Sequence, residues 1–300
     1  MVAIDTRRCT GCGACIAACP LGIFTPTPDG ATTHAERAAG CLGCGACVVQ
    51  CSTEAVQLAK YPAALCPPLS ISPSAPTLTA ALLRARRTTR RFRPASLPRT
   101  LLEEVLTLAA TAPAGLPPTI VEVLVVTDPL LLRQCAPLAF SRLRQLQRLL
   151  RIPGLSGLMR AILGPARLTE FEQRLLPMFG QAEARFHADG LDMITWHAPA
   201  LLVFHSPAGL CAQENAHIAL AYATVAAETL GLGTCVNGII EYLLNTSPLR
   251  RTYGIPAGHT VWGVLLIGYP EASTPQRSLP RAFATVRWRE EAADGNPPTP

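Results

Sequence analysis

The chain of 300 residues is poor in lysine, in charge and in aromatic rings. Lys60 is its sole lysine, charged residues make up 15% and aromatics 5%. A basic balance carried almost wholly by arginine, beside 28 prolines and abundant alanine, fits a biased coding composition better than a nucleic-acid surface. With 49% hydrophobic residues the chain is expected to be globular, not disordered. No apolar run reaches the roughly 18 residues a spanning helix needs, so no transmembrane segment is expected. With Cys9 so near the start, no secretory leader is expected either.

What is present is cysteine in a repeated pattern. Cys9, Cys12, Cys15 and Cys19 form one CxxCxxCxxxC run, and Cys41, Cys44, Cys47 and Cys51 repeat it 32 residues later. CTGCGACIAAC and CLGCGACVVQC match beyond the thiols, so Gly11, Gly13 and Ala14 recur as Gly43, Gly45 and Ala46. Each run offers three thiols from one tight loop, with small residues that let backbone N–H groups face a bulky inorganic group. Structural zinc wants two separated thiol pairs with tetrahedral closure, and a disulfide framework wants a secreted context.

This stretch resembles the two-cluster bacterial ferredoxins over residues 1–60. The resemblance implies two 4Fe–4S clusters with crossed ligation, the fourth cysteine of each run serving the other cluster. One cluster then takes Cys9, Cys12, Cys15 and Cys51, and the other Cys41, Cys44, Cys47 and Cys19. Pro20 follows the first run as in that family, whereas Ser52 replaces the second proline. So short a module has little core, and ligation must supply much of its folding energy. Such clusters, with the further thiols Cys66, Cys135, Cys211 and Cys235, suit a reducing cytoplasm.

Residues 61–78, YPAALCPPLSISPSAPTL, carry five prolines and no charge, the composition of a semi-rigid linker. From Thr79 the pattern turns helical. A further helix is expected from Pro98 to Pro113, then a buried strand at Ile120–Thr127. Residues 129–190 read as broken helix. Within them SRLRQLQRLLR is either a basic helix packed on its own protein or a membrane-surface or lid helix. Strands are expected at 198–205 and 260–269, with a helix over 213–230 between them, and the tail from 286 should be loose.

Four segments of this half suggest ligand chemistry. Arg86-Arg87-Thr88-Thr89-Arg90-Arg91-Phe92 clusters guanidinium groups with hydroxyls, as a phosphate monoester requires, although a solvated helix end has the same composition. APAGLPPTIVE from Ala112 is a Pro/Gly loop between helix and strand. GLGTCVNG from Gly231 is a glycine turn permitting close backbone approach. GIPAGHTVWGVLLIGYPEASTPQRSLPR from Gly254 ends in a loop with Arg277 and Arg281. The histidines His34, His187, His197, His205, His217 and His259 are scattered without ligand spacing and read as structural. Cys235 reads as packing.

In their order and spacing these segments resemble the nitroreductase family of FMN-dependent oxidoreductases, over about residues 80–285. DMITWHAPALLVFHSP also resembles the corresponding segment of nitroreductases fused to a ferredoxin. The resemblance implies an α+β fold in which a ferredoxin-type module precedes a nitroreductase-like sandwich at 79–285, with an antiparallel-dominated sheet among helices. It also implies a homodimer with FMN at the subunit interface. Carried over by position, Arg86, Arg87, Thr88 and Arg90 match the phosphate arm. Pro113, Ala114 and Gly115 match the loop beside the flavin, with Thr119 replacing part of the polar recognition that Pro117 cannot offer. Asn237 and Gly238 match the place where backbone N–H meets the ring, and Arg277 and Arg281 a second basic contact. No side chain is identified as a general acid. Clusters and flavin phosphate bring the formal +6 near neutrality, which argues against nucleic acid as a partner. The implied activity passes electrons from the clusters to FMN and on to a nitro-aromatic, a quinone or an activated alkene, with ferredoxin or a nicotinamide as donor. The alternative is a non-catalytic electron relay between protein partners.

Overall fold

The computed structural model describes residues 2–19, 21–62, 66, 72–115, 120–152, 161, 164–271 and 282–289. The cysteine repeat is wrapped by two small antiparallel pairs. Strand β1 (Val2–Ile4) pairs with β4 (Val56–Leu58), joining the two ends of the module, and β2 (Phe24–Thr27) forms a hairpin with β3 (Gly30–Thr33). Between them lie the short helices α1 (Ala14–Ala18), α2 (Ala35–Ala38) and α3 (Ala46–Val49). The core is small, built on Val2, Ile23, Phe24, Val48, Val56 and Leu58, with Cys15 and Cys47 buried among them.

Helix α4 (Ala75–Ala85) begins inside the stretch expected to be linker, with Pro76 in its first turn, where a missing N–H costs nothing. None of its described residues is buried, and Leu78 and Leu83 face outward. Helix α5 (Arg99–Ala109) follows, then β5 (Glu122–Val126) and α6 (Pro129–Leu150). Asp128 caps α6, its carboxylate accepting the Leu130 N–H at 2.8 Å. After α7 (Pro165–Glu170) the helix widens into a π turn at Phe171–Leu175 and resumes as α8 (Leu176–Asp189). The rest of the chain supplies β6 (Ala200–Pro207), α9 (Ala212–Thr229), β7 (Gly233–Val236), α10 (Gly238–Thr246), α11 (Leu249–Thr252) and β8 (His259–Gly268).

The sheet runs β5-β6-β8-β7 and is antiparallel throughout. Strand β6 is apolar on both faces because both are covered. Leu201 and Val203 enter one core with residues of α6, α8, α10 and α11, and Ala200, Leu202 and Phe204 enter a second with α5 and α9. Two sequence expectations fell short here. The GLGTC stretch, read as a turn, is the edge strand β7, too short to show alternation, and α10 behind it was not anticipated.

Candidate functional site

The two cysteine runs repeat in backbone as well as in sequence. Gly11 and Gly43 have φ of 71° and 62°, and Gly13 and Gly45, which open α1 and α3, have 72° and 78°. A side chain at any of the four would be strained, which accounts for the recurring glycines. One cavity is lined by Cys9, Cys12, Cys15 and Cys51, and another by Cys19, Cys41, Cys44 and Cys47. The fourth thiol of each cavity thus comes from the other run, as crossed ligation requires. Backbone crowds in closely: a Cβ on Gly30 would come within 2.8 Å of the Cys9 sulfur, and one on Gly45 within 2.9 Å of the Tyr61 ring.

The thiols differ in their surroundings. Burial pushes Cys47 up to about 11, and it raises Cys15 less. Burial also acts to raise Cys51, but there the backbone N–H of Val56, the Thr53 hydroxyl and the N–H groups of Ala55 and Thr53 outweigh it and hold the thiol low. The Ala55 N–H donates to its sulfur at 3.2 Å. Four-thiolate cavities edged by N–H donors suit an iron–sulfur cluster, whose sulfurs need such donors.

The arginine arm lies against the far edge of the main sheet. Thr88 bridges to Thr234 of β7, and the Thr89 N–H donates to the Thr234 carbonyl at 2.8 Å. Further along, the Arg93 N–H donates to Tyr269 at 2.9 Å and the Glu271 N–H to Arg91 at 3.0 Å. Three segments far apart in sequence, RRTTRRF, GLGTC and GYP, therefore form one surface. Between the arm, α4 and the end of α9 lies a cleft of about 830 Å³, whose lining includes Arg87, Thr88, Thr89, Arg90, Arg93 and Gly233. That volume lies within the range of cofactor sites. Gly233 is what lets the arm lie so close, because a Cβ there would sit 2.7 Å from Thr89 Cβ.

The predicted arm residues are not equivalent. Arg87, Thr88 and Arg90 line the cleft; Arg86 is absent from its described lining. Burial raises the Glu228 carboxyl, and the Arg86 charge pulls it back, which sets Arg86 beside Glu228. The Arg90 guanidinium sits 5.9 Å over the Trp196 ring. Pro113, Ala114 and Gly115 lie elsewhere, at the start of α9. There the Gly115 N–H donates to the Asn215 side-chain oxygen at 2.6 Å, and a Cβ on Gly115 would meet Cys211 at 2.8 Å. Thr119, Pro117, Arg277 and Arg281 lie outside the described residues.

Asn237 departs from its expected role. Its backbone N–H donates to Val264 at 2.8 Å, its amide donates to Ile194 at 2.6 Å, and its side-chain oxygen accepts from Ile239 and Ile240 at 3.1 and 2.9 Å. It is a buried N-cap of α10, its backbone N–H and side-chain oxygen both engaged within the fold. Gly238, exposed at the first position of that helix, carries one of the N–H groups that helix geometry leaves over. Cys235 is buried, its thiol facing the Val236 carbonyl and raised by burial, as packing requires.

Sequence reading passed over three residues that organise this region. Asp192 accepts the N–H groups of Ile194 and Thr195 at 2.8 Å each, and the Thr195 hydroxyl as well. This turn holds Trp196 and His197 at φ of 54° and 55°, a strained pair whose Trp196 lies under Arg90. Asn215 holds the APAG loop, and its amide nitrogen is buried without a partner among the described residues. Only the DMITWH resemblance pointed to the first two, and nothing pointed to Asn215.

An α+β sandwich with an arginine-lined cleft, preceded by a module with two four-cysteine cavities, defines an iron–sulfur oxidoreductase architecture. Comparison with known proteins agrees. The Nitroreductase family matches residues 83–269 and a 4Fe–4S dicluster domain matches residues 1–52. The chain belongs to the nitroreductase family and is an oxidoreductase of that type with an N-terminal 4Fe–4S dicluster domain. Among solved structures it is similar to a nitroreductase with bound FMN from Bacteroides fragilis, at 17% identity and a TM-score of 0.51, over 70% of this chain and 98% of that one. A nitroreductase with bound FMN from Desulfitobacterium hafniense gives 16% and 0.50 over the same shares. At such identities the likeness is one of fold. No curated protein matches the chain. Among the described residues no helix is long and apolar enough to cross a membrane.

Proposed function

We propose that this oxidoreductase is FMN-dependent and carries electrons from two 4Fe–4S clusters to FMN and on to a small acceptor of the nitro-aromatic, quinone or activated-alkene class. The observation that carries this reading is the coexistence on one chain of two four-thiol cavities and a cleft lined by arginine and threonine. Cys9, Cys12, Cys15 and Cys51 hold one cluster; Cys19, Cys41, Cys44 and Cys47 hold the other. Arg87, Thr88 and Arg90 bind the phosphate, with Arg86 adding charge from beside Glu228. The APAG loop and the Gly238 N–H serve the ring, and Thr119, Arg277 and Arg281 belong to the same assignment by family position. When bound, FMN supplies the ability to take electrons singly and give them up in pairs. The protein's part is to position and to exclude water.

A homodimer is part of the proposal. The homodimer rests on the family resemblance; helix α4, none of whose residues is buried, is free to meet a partner subunit. Protein purified without oxygen should hold about eight iron atoms and one FMN per chain, and should turn over a small acceptor with a ferredoxin or nicotinamide donor. FMN present without turnover of any acceptor would favour an electron relay. Two zinc ions in place of iron and sulfide would overturn the cluster assignment.

A further inference from the structure

At one end of the main sheet, across three neighbouring strands, three side chains with metal-ligand chemistry converge: Glu122 on β5, His205 on β6 and His259 on β8. Their ligand atoms all lie within 4.8 Å of one another. The His205 and His259 Nδ1 atoms are 3.0 Å apart, and Glu122 Oε2 is 4.0 Å from His205 Nδ1. We propose that Glu122, His205 and His259 form a binding site for a divalent transition-metal ion, zinc above all, separate from the clusters and the arginine cleft.

Strand register builds the site. Glu122 stands directly opposite His205 in the β5–β6 ladder. Across β6–β8, Phe204 pairs with Gly263 but His205 pairs with Val261, so Trp262 is bulged out of the ladder. Bulges re-aim side chains. Without this one His205 would oppose Trp262, and its diagonal neighbour would be Thr260. With it, the diagonal neighbour on the same face is His259. The bulge is anchored, since the Trp262 indole N–H donates to the Ser206 hydroxyl at 2.9 Å.

The donor set is two imidazoles and a carboxylate, which suits zinc and its first-row neighbours, not magnesium or calcium. Tetrahedral zinc with ordinary Zn–N bonds separates two nitrogens by about 3.3 Å, so the rings need open only slightly. His205 is 4% exposed and cannot swing away, whereas the Glu122 carboxylate is free to close on an ion from the solvent side. Three protein ligands leave a fourth position for water. Arg250 is held by the carbonyls of Pro256 and His259. Its charge weakens the attraction for a cation, and Glu122 offsets it. A bound ion would pin β5, β6 and β8 together at one end.

The test uses the full chain with its clusters loaded, equilibrated anaerobically with micromolar zinc and freed of excess. About one zinc per chain is expected over the iron, with Glu122→Gln weakening retention at least ~10-fold and His259→Gln abolishing it while iron content stays constant. Glu122 is exposed, so its variant should fold normally. Cobalt(II) in the same site should show d–d bands without thiolate charge transfer. No zinc uptake by the wild type, equal uptake by wild type and both variants, or a cobalt spectrum with thiolate bands would overturn the site; the histidines would then be a hydrogen-bonded pair only.

Discussion

Gly233→Ala is the sharpest probe of how the arginine arm is held. The glycine is buried at the start of β7, and its φ lies outside the left-handed region, so backbone strain does not enter. The added methyl would lie 2.7 Å from Thr89 Cβ, 2.8 Å from its Cγ2 and closer still to its Oγ1. Real contacts at such carbon positions do not occur, so the arm must lift. Overpacking of this kind costs about 1–3 kcal/mol, and loss of the Thr89 N–H to Thr234 bond adds about 0.5–1.5 kcal/mol. Lifting also displaces Thr88 and Arg90. Losing one charge-assisted phosphate contact costs about 1.5–3 kcal/mol, so FMN affinity should fall roughly ten- to hundred-fold. Flavin fluorescence titration reads the affinity and urea denaturation the stability. Thr89→Gly deletes all three clashing atoms, so the double variant should recover much of both losses. Gly231→Ala is a useful control: at φ +72° with nothing within 4 Å, it strains the backbone by about 1–2 kcal/mol but leaves the arm in place. Unchanged FMN affinity in Gly233→Ala, or no recovery in the double variant, would refute the reasoning.

Four further outcomes are expected. Cys19→Ser should damage the cluster held mainly by Cys41, Cys44 and Cys47; anaerobic EPR showing loss confined to the other cluster would refute crossed ligation. Arg87→Ala should weaken FMN binding by about 1.5–3 kcal/mol, and more than Arg86→Ala, whose residue stands beside Glu228; equal losses would mean that the phosphate lies between them. A chain beginning at Pro76 should still bind FMN and dimerise but lose reduction by one-electron donors, so equal flavin reduction rates with and without the module would take the clusters off the path. Cys135 is buried, within 3.1 Å of the Tyr253 hydroxyl, and burial pushes its thiol up to about 11. An unfolded thiol titrates near 8.5, so the folded state favours the neutral form. Its contribution is complete below that pH and is lost as pH rises toward 11, by roughly 3 kcal/mol. The urea midpoint of Cys135→Ala should therefore fall less steeply above pH 8.5 than that of the wild type, and parallel curves would contradict the assignment.

The two cysteine runs were legible because each loop is local: three thiols within seven residues, glycines at the positive-φ positions, and a repeat that doubles the signal. Family resemblance also implies that the fourth cysteine of each run groups with the other run, and the two cavities are lined in that way. Order and spacing of the later motifs were equally legible, and so was β6, whose unbroken apolar run demands cover on both faces. What tertiary structure alone decided is pairing across distance. That Thr88 and Thr89 lie on Thr234, with Gly233 making room, depends on which edge of the sheet the arm meets, and nothing in RRTTRRF encodes it. Asn237 matches the family by its neighbours; only the fold shows that its backbone N–H goes to Val264 and its side-chain oxygen caps α10. His205 and His259 read as scattered because 54 residues separate them. A single bulged residue at Trp262 sets them on one face beside Glu122, and the shift leaves almost no trace in sequence because β8 is buried on both faces from Gly263 on and shows no polar–apolar alternation to break.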